Sequence, residues 1–304
     1  MVTITMNLYN YLTIDVEDFF QVSAFESIVS KKSWDDYPSR VVQNTRKILS
    51  ILEKHNIKAT FFILGWTAKK HPELVQEIAK LGHEIGCHSY YHRLVYNLTP
   101  EEFREDTKYA KDTLEQITGN EVKGYRAPSY SITRKSLWAI QILDDLGFTY
   151  DSSVFPILHD RYGIPNAPRY PFFWETSGSS PEISSGYNGE ESRRNGHSLI
   201  EYPISTALLF GKNLPVSGGG YFRLFPYWFT RMTLKKINEQ EKKSFVFYLH
   251  PWEFDPEQPR FTKAPLLSKF RHYNNLDKTG TRFEQLLKDF SFGPMHPRQI
   301  THPS

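Results

Sequence analysis

Short apolar runs alternate with stretches of helical periodicity along the first half of this chain, and that alternation leaves few folds open to it. Residues 12–14 form an apolar run that stops at Asp15, residues 59–64 (ATFFIL) are apolar throughout, and residues 84–88, 122–125 and 148–150 read as further strands. Between them lie candidate helices over 41–55, 72–81, 99–118 and 133–146, in which apolar residues recur every three or four positions. Pro72 opens the second of these and Gly82 closes it; Thr99 and Glu102 form a capping box for the third, and Gly119 and Gly147 stop the third and fourth. Strands joined by helices pair in parallel, because a parallel neighbour needs a long crossover. The expected fold class is α/β with at least four βαβ units.

The second half is less regular. Residues 174–197 are rich in Ser, Gly and charge and have no periodicity, so a mobile surface loop is expected there. Strands resume over 199–204 and 244–249 (SFVFYL), with a helix over 226–238 between them and a terminal helix over 283–290. No linker divides the chain, so a single domain over residues 1–304 is expected.

Composition narrows the partners. With 39% hydrophobic and 15% aromatic residues the chain can bury a large core, and its rings could also stack on sugar faces. A net charge of +3, from 37 basic and 34 acidic residues without a long basic run, gives no reason to expect nucleic acid. Cys87 is the only cysteine, which excludes an intrachain disulfide. No run approaches the roughly 18 apolar residues of a membrane span, and the N-terminus lacks the basic and apolar regions of a secretion signal. The expectation is a cytoplasmic protein without a membrane span.

Active sites in α/β sheets and βα barrels lie at the carboxyl ends of strands, and here those ends carry ionisable groups. They are Asp15-Val16-Glu17-Asp18, then His88 with His92, then Arg126, Asp151 and finally His250. Two imidazoles three residues apart, completed by a carboxylate, make a three-ligand cation site with open positions. Such a cation activates water and polarises a carbonyl, and amide hydrolysis then needs a base and an acid. Asp15 is placed for the base and His250 for the acid. Arg126 could keep Asp15 ionised, and Asp151 could orient His250. The alternatives are surface histidines, a structural ion pair for Arg126 and a helix cap for Asp151.

These motifs resemble those of the NodB-homology polysaccharide deacetylases, carbohydrate esterase family four. They stand in the family's order as TIDVEDFF (13–20), HSYYH (88–92), RAPS (126–129), YDSS (150–153) and YLHP (248–251). Further stretches, PVSGGGYFRLFP (215–226), YLHPWEFDPEQPR (248–260) and FRHYNNL (270–276), resemble deacetylases of exosortase-associated exopolysaccharide clusters. The resemblance implies a distorted (β/α)7 barrel, its motif core at about 12–160 and residues 199–304 completing it. It also implies Asp15 as base, His88 and His92 as metal ligands and His250 as acid, with a divalent metal, Zn2+ or else Co2+ or Ni2+. Family members place two aspartates side by side, whereas here Asp15 is followed by Val16. The third ligand is then Asp18, by residue type, or Glu17, by the spacing of an intracellular branch of the family.

Candidates for substrate contact are Tyr91, Pro128, Gly219, Gly220, Tyr221 and Trp252. The stretch 218–223 could be a second ligand site or a tight buried turn, and Glu253 could pair with Arg260. The implied substrate is an N-acetylated polysaccharide, or a lipid-linked oligosaccharide met at the inner membrane face before export. Hydrolysis of another amide, in peptidoglycan or a small cyclic amide, and non-catalytic carbohydrate binding are the competing readings.

Overall fold

The structure, a computed structural model, describes residues 8–159, 161–176, 181–184 and 198–295. Five strands alternate with helices as the periodicity requires: β1 (Asn10–Val16), β2 (Thr60–Ile63), β3 (Glu84–Cys87), β4 (Gly124–Tyr125) and β5 (Tyr150–Asp151). The helices between them are α1 (Val41–Lys54), α2 (Gly65–Lys70), α3 (Pro72–Lys80), α4 (Pro100–Thr118) and α5 (Trp138–Asp145). The remaining strands are β6 (Phe172–Glu175), β7 (Glu182–Ser184), β8 (Ser198–Glu201), β9 (Thr206–Leu209), β10 (Lys212–Pro215), β11 (Val246–Leu249) and β12 (Phe292–Gly293). Helices α6 (Gly219–Leu224) and α7 (Tyr227–Lys235) precede β11, and α8 (Leu266–Tyr273) and α9 (Leu276–Asp289) follow it.

Seven strands run parallel in the order β11-β1-β2-β3-β4-β5-β8. β1 is covered on both faces, which is why NYLTIDV carries almost no exposed residue. Beyond β8 the sheet continues through antiparallel β6 and β7 instead of closing on β11. The gap is spanned by the chain after β8. Ser205 accepts the Val246 N–H on its hydroxyl at 2.8 Å, and Ser217 accepts the Tyr248 N–H on its carbonyl at 3.0 Å. Gly218 then lies so close to Tyr248 that an added Cβ would stand 2.0 Å from its carbonyl oxygen. Residues 215–220 are therefore a tight buried approach of backbone to backbone, and the barrel is distorted at this seam.

Inside the barrel one side chain ties the strands together. Arg126, fully buried just after β4, donates to Thr13 Oγ1 at 2.6 Å and Asp15 Oδ1 at 2.7 Å on β1. It also donates to the Ser152 carbonyl at 3.1 Å and hydroxyl at 2.9 Å beyond β5. Thr13 passes the link to the Phe247 carbonyl on β11 at 3.0 Å, and Ser152 passes it to the Tyr202 carbonyl at 2.8 Å.

Several boundaries differ from the sequence reading. The helix expected over 133–146 begins at Trp138, because Ser136 Oγ accepts the Thr133 N–H and the preceding residues turn on themselves. The terminal helix begins at Leu276, not 283: Leu276, Thr279, Phe283, Leu286 and Leu287 form its buried stripe, and the small Thr279 hides the first turns from a hydrophobicity pattern. Part of the expected loop is strand. Trp174 and Glu175 belong to β6, with Trp174 buried, and Glu182–Ser184 form β7. Residues 177–180 and 185–197 of that loop lie outside the described residues. The hairpin β9–β10 was not read from sequence at all; its turn puts Phe210 and Gly211 at positive φ.

Replacing Arg126 by Met strands the Asp15 carboxylate in the barrel without its cation, and is expected to cost about 3–5 kcal/mol of folding stability. Thr13→Val removes a link but no charge and should cost only about 1–2 kcal/mol. Urea midpoints measure both, and equal losses would contradict the tie through charge.

Candidate active site

The carboxyl end of β1 sets the site. Asp15 faces into the barrel toward Arg126, and a tight turn closed by the Glu17 N–H on the Asp15 carbonyl at 3.0 Å brings Glu17 to the same rim. Glu17, His88 and His92 are all buried and offer ligand atoms lying within 4.8 Å of one another. Glu17 Oε2 is 2.8 Å from His92 Nε2. Burial alone would raise the Glu17 pKa, but the surrounding imidazoles, His92 foremost, bring it down to about 2, so the carboxylate is charged.

Each imidazole is held by its surroundings. His88 Nδ1 donates to the Arg126 carbonyl at 2.7 Å, which fixes the tautomer and leaves Nε2 for the site. Burial drops its pKa to about 4, so the ring is neutral and able to ligate. His92 adopts the left-handed conformation, with φ 51°, as does Ser89 at 63°. That turn is pinned by α4, where Asp106 accepts the Tyr90 N–H at 2.7 Å, and by Ser89 Oγ, which accepts the His92 N–H at 3.2 Å. Nothing in the sequence singled out Asp106; a buried acid on an otherwise apolar helix face was the available signal.

Asp18 is elsewhere. Its carboxylate accepts the N–H groups of Phe19 (3.1 Å), Arg40 (2.9 Å) and Val41 (3.2 Å) and the Ser39 hydroxyl (2.7 Å). It caps the start of α1, whose own residues supply no side-chain cap. Between the two carboxylates left open by the sequence, only Glu17 stands with the histidines.

His250 follows β11 with Nε2 3.8 Å from Asp15 Oδ2 and 3.7 Å from Glu17 Oε1. Asp151, expected at this position, does not orient it. Instead Glu253 does so: its Oε1 lies 2.7 Å from His250 Nδ1 and accepts the His250 N–H at 3.0 Å. Burial opposes protonation of this imidazole, but the Glu253 hydrogen bond and the carboxylates around it raise its pKa to about 9. Glu253 pairs not with Arg260 but with buried Arg223, 2.6 Å away, whose guanidinium also donates to three carbonyls at residues 271, 272 and 274. The spacing His250–Glu253, three residues apart in one turn, was the signal for this pair. Asp151 lies beside Glu201 on neighbouring strands and accepts the Ser153 hydroxyl at 2.5 Å. Burial raises the Asp151 pKa to about 6 and that of Glu201 well above its usual value, so this carboxyl pair holds a proton.

A cavity of about 380 Å3, within the size range of small-ligand sites, opens over Asp15, Glu17, His88, His92 and His250. Of the candidate contact residues, Gly220, Tyr221 and Trp252 line it. Tyr91 is exposed against Trp34, and Pro128 and Gly219 are not in its wall; an added Cβ on Gly219 would meet the Tyr248 ring at 2.7 Å. Gly220 and Tyr221 thus belong to this cleft and not to a second site. Trp252 donates to Glu17 Oε1 at 3.1 Å and stacks between the rings of His250 and His272.

Residues 30–150 match the family described as polysaccharide deacetylase, and residues 152–299 match one described as a domain of unknown function, DUF3473. Over residues 30–150 the chain is similar to the polysaccharide deacetylases. The boundary between the two matches falls within one sheet, since Tyr150 at the end of the deacetylase match pairs with Ile200 of the other. A Bacillus cereus peptidoglycan-N-acetylglucosamine deacetylase is 37% identical over 142 residues, 43% of this chain and 51% of the relative. The peptidoglycan-N-acetylglucosamine deacetylase PgdA of Listeria monocytogenes is 33% identical over 116 residues, 38% of this chain and 23% of that protein. The chain therefore spans half the length of the first relative and less of the second. A crystal structure of a Mycobacterium smegmatis protein, provisionally named polysaccharide deacetylase, matches with a TM-score of 0.58 at 18% identity, covering 98% of this chain and 95% of that one. That likeness places the barrel in the NodB-type (β/α)7 fold.

The geometry predicts that Glu17→Gln and His88→Ala lower zinc uptake, read by metal analysis after loading and desalting. Asp18→Asn should keep the zinc and lower the melting temperature. Zinc lost with Asp18 and kept without Glu17 would reverse the assignment.

Proposed function

We propose that this protein is a metal-dependent hydrolase that removes acetyl groups from N-acetylated amino sugars of a polysaccharide or of its lipid-linked precursor. The reading rests on one observation above others: a Glu17–His88–His92 ligand group at one strand-end rim, with Asp15 and His250 beside it. Two imidazoles and a carboxylate are the donor set of open catalytic zinc sites, and the tautomer of His88 and the charge of Glu17 both suit a cation. Co2+ and Ni2+ suit the same donors. A divalent cation held there supplies Lewis-acid activation of the amide carbonyl and of water.

The chain's own residues do the rest. Asp15, held by its ion pair with Arg126, takes a proton from water as the water oxygen bonds to the acetyl carbon. His250, protonated through Glu253, gives its proton to the amine nitrogen as the C–N bond breaks, which releases acetate and a free amino sugar. Tyr221 and Trp252 offer ring faces for the sugar. The deacetylase match and the relatives acting on peptidoglycan N-acetylglucosamine support the substrate class. A role in exopolysaccharide synthesis is supported by the motif resemblance over 215–226, 248–260 and 270–276. No helix among the described residues is long and apolar enough to cross a membrane.

Acetate release from N-acetylglucosamine oligomers tests the reading. The wild-type protein should release acetate with metal and stop with chelator, while Asp15→Asn should lose about 10²–10⁴-fold in turnover. His250→Ala should lose a similar factor and keep its metal. Chelator-resistant release, or full activity in Asp15→Asn, would contradict the mechanism.

A further inference from the structure

Around the mouth of the cleft the surface turns apolar. Leu266 and Leu267, at the start of α8, are 81% and 59% exposed, and Trp228 on α7 is 65% exposed. Phe270, one turn further along α8, and Leu224 on α6 are also exposed, and both line the cavity that holds the ligand group. α6 and α8 pack against each other, so Leu224, Phe270 and the two leucines before it form one rim beside the opening, and Trp228 follows Leu224 by four residues at the start of α7. Single exposed apolar residues are ordinary on a surface, but several large ones on neighbouring helices beside one opening mark an interaction site.

The charge of this rim has one sign. No Asp or Glu occurs from residue 202 to 238, nor from 258 to 276, the two stretches that build it. Arg231 is paired with Asp289 of α9 at 3.0 Å. Lys263 and Arg271 have no carboxylate partner among the described residues, and Lys269 contacts only the Thr262 carbonyl. Protein–protein interfaces are depleted in lysine, whereas here Lys263 and Lys269 flank the exposed leucines. Exposed Leu, Phe and Trp interspersed with Lys and Arg, free of acids, suit the headgroup layer of an anionic bilayer.

We propose that the rim formed by α6, α7 and α8 docks this protein on an anionic lipid surface, with the cleft opening toward the headgroups. The docking itself stands apart from the catalytic reading. Its consequence, that the enzyme takes an acetylated sugar carried on a membrane lipid, rests on that reading.

Flotation of the full chain with phosphatidylcholine vesicles, with and without phosphatidylglycerol, tests the docking. The wild-type protein should float with the anionic vesicles and be released by added salt. Lys263→Glu/Lys269→Glu should bind them at least about tenfold more weakly. Trp228→Ser/Leu266→Ser/Leu267→Ser should also lose binding, while both variants release acetate from soluble oligomers as the wild type does. Folded wild-type protein that ignores anionic vesicles, or variants that float like it, would overturn the proposal. So would self-association of the wild type without lipid that the serine variant abolishes, since the rim would then join copies of this chain. Flotation that behaves as expected in protein that releases no acetate would leave the docking standing and refute the deacetylase reading.

Discussion

A guanidinium buried inside a barrel is costly unless its donors find acceptors, and four hydrogen bonds from Arg126 show how this protein meets that demand. Its partners lie on β1 and beyond β5, and relayed hydroxyls reach β11 and the chain after β8. A barrel that leaves β8 and β11 unpaired at its seam is thus held from within by a charged network. The same ion pair, 2.7 Å from Arg126 Nη1 to Asp15 Oδ1, holds the Asp15 carboxylate in place at the cleft. Stability and chemistry share one contact, so neither residue can be exchanged for an apolar one without loss to both.

The rim above that network is a balance of charges on a few side chains. Two carboxylates two residues apart would repel if buried alone. Arg126 offsets Asp15, and the imidazoles offset Glu17. His250 is drawn to its charged form by Glu253, whose own charge is held by Arg223 from α6. The glycines before Arg223 let α6 approach β11 closely enough for that pair to form. A stretch that reads as a ligand-binding loop therefore serves the acid at one remove, and lends Gly220 and Tyr221 to the wall of the cleft.

Much of this is legible in the sequence. The βα alternation was written in strands apolar on both faces and helices with clear caps, such as Thr99–Glu102 on α4. The HSYYH, RAPS and YLHP motifs gave the residues that meet at the rim, because strand ends in this architecture converge. What could not be read depended on local geometry. Glu17 and Asp18 are adjacent acids, and only the tight turn after β1 shows that one faces the histidines and the other caps α1. Asp151 stands at a strand end like the other site residues, but Glu201 on the neighbouring strand claims it. The β9–β10 hairpin escaped because Phe210 takes a left-handed turn position that hydrophobic patterning does not anticipate.

The central claim is that Glu17, His88 and His92 form one cation site within reach of Asp15 and His250. Anomalous diffraction from crystals soaked in zinc tests it most directly. The account predicts a strong anomalous peak within bonding distance of a Glu17 carboxylate oxygen and of one ring nitrogen from each histidine, about 2.0–2.2 Å. A peak at Asp18, or between Asp151 and Glu201 with the histidines bare, would contradict it.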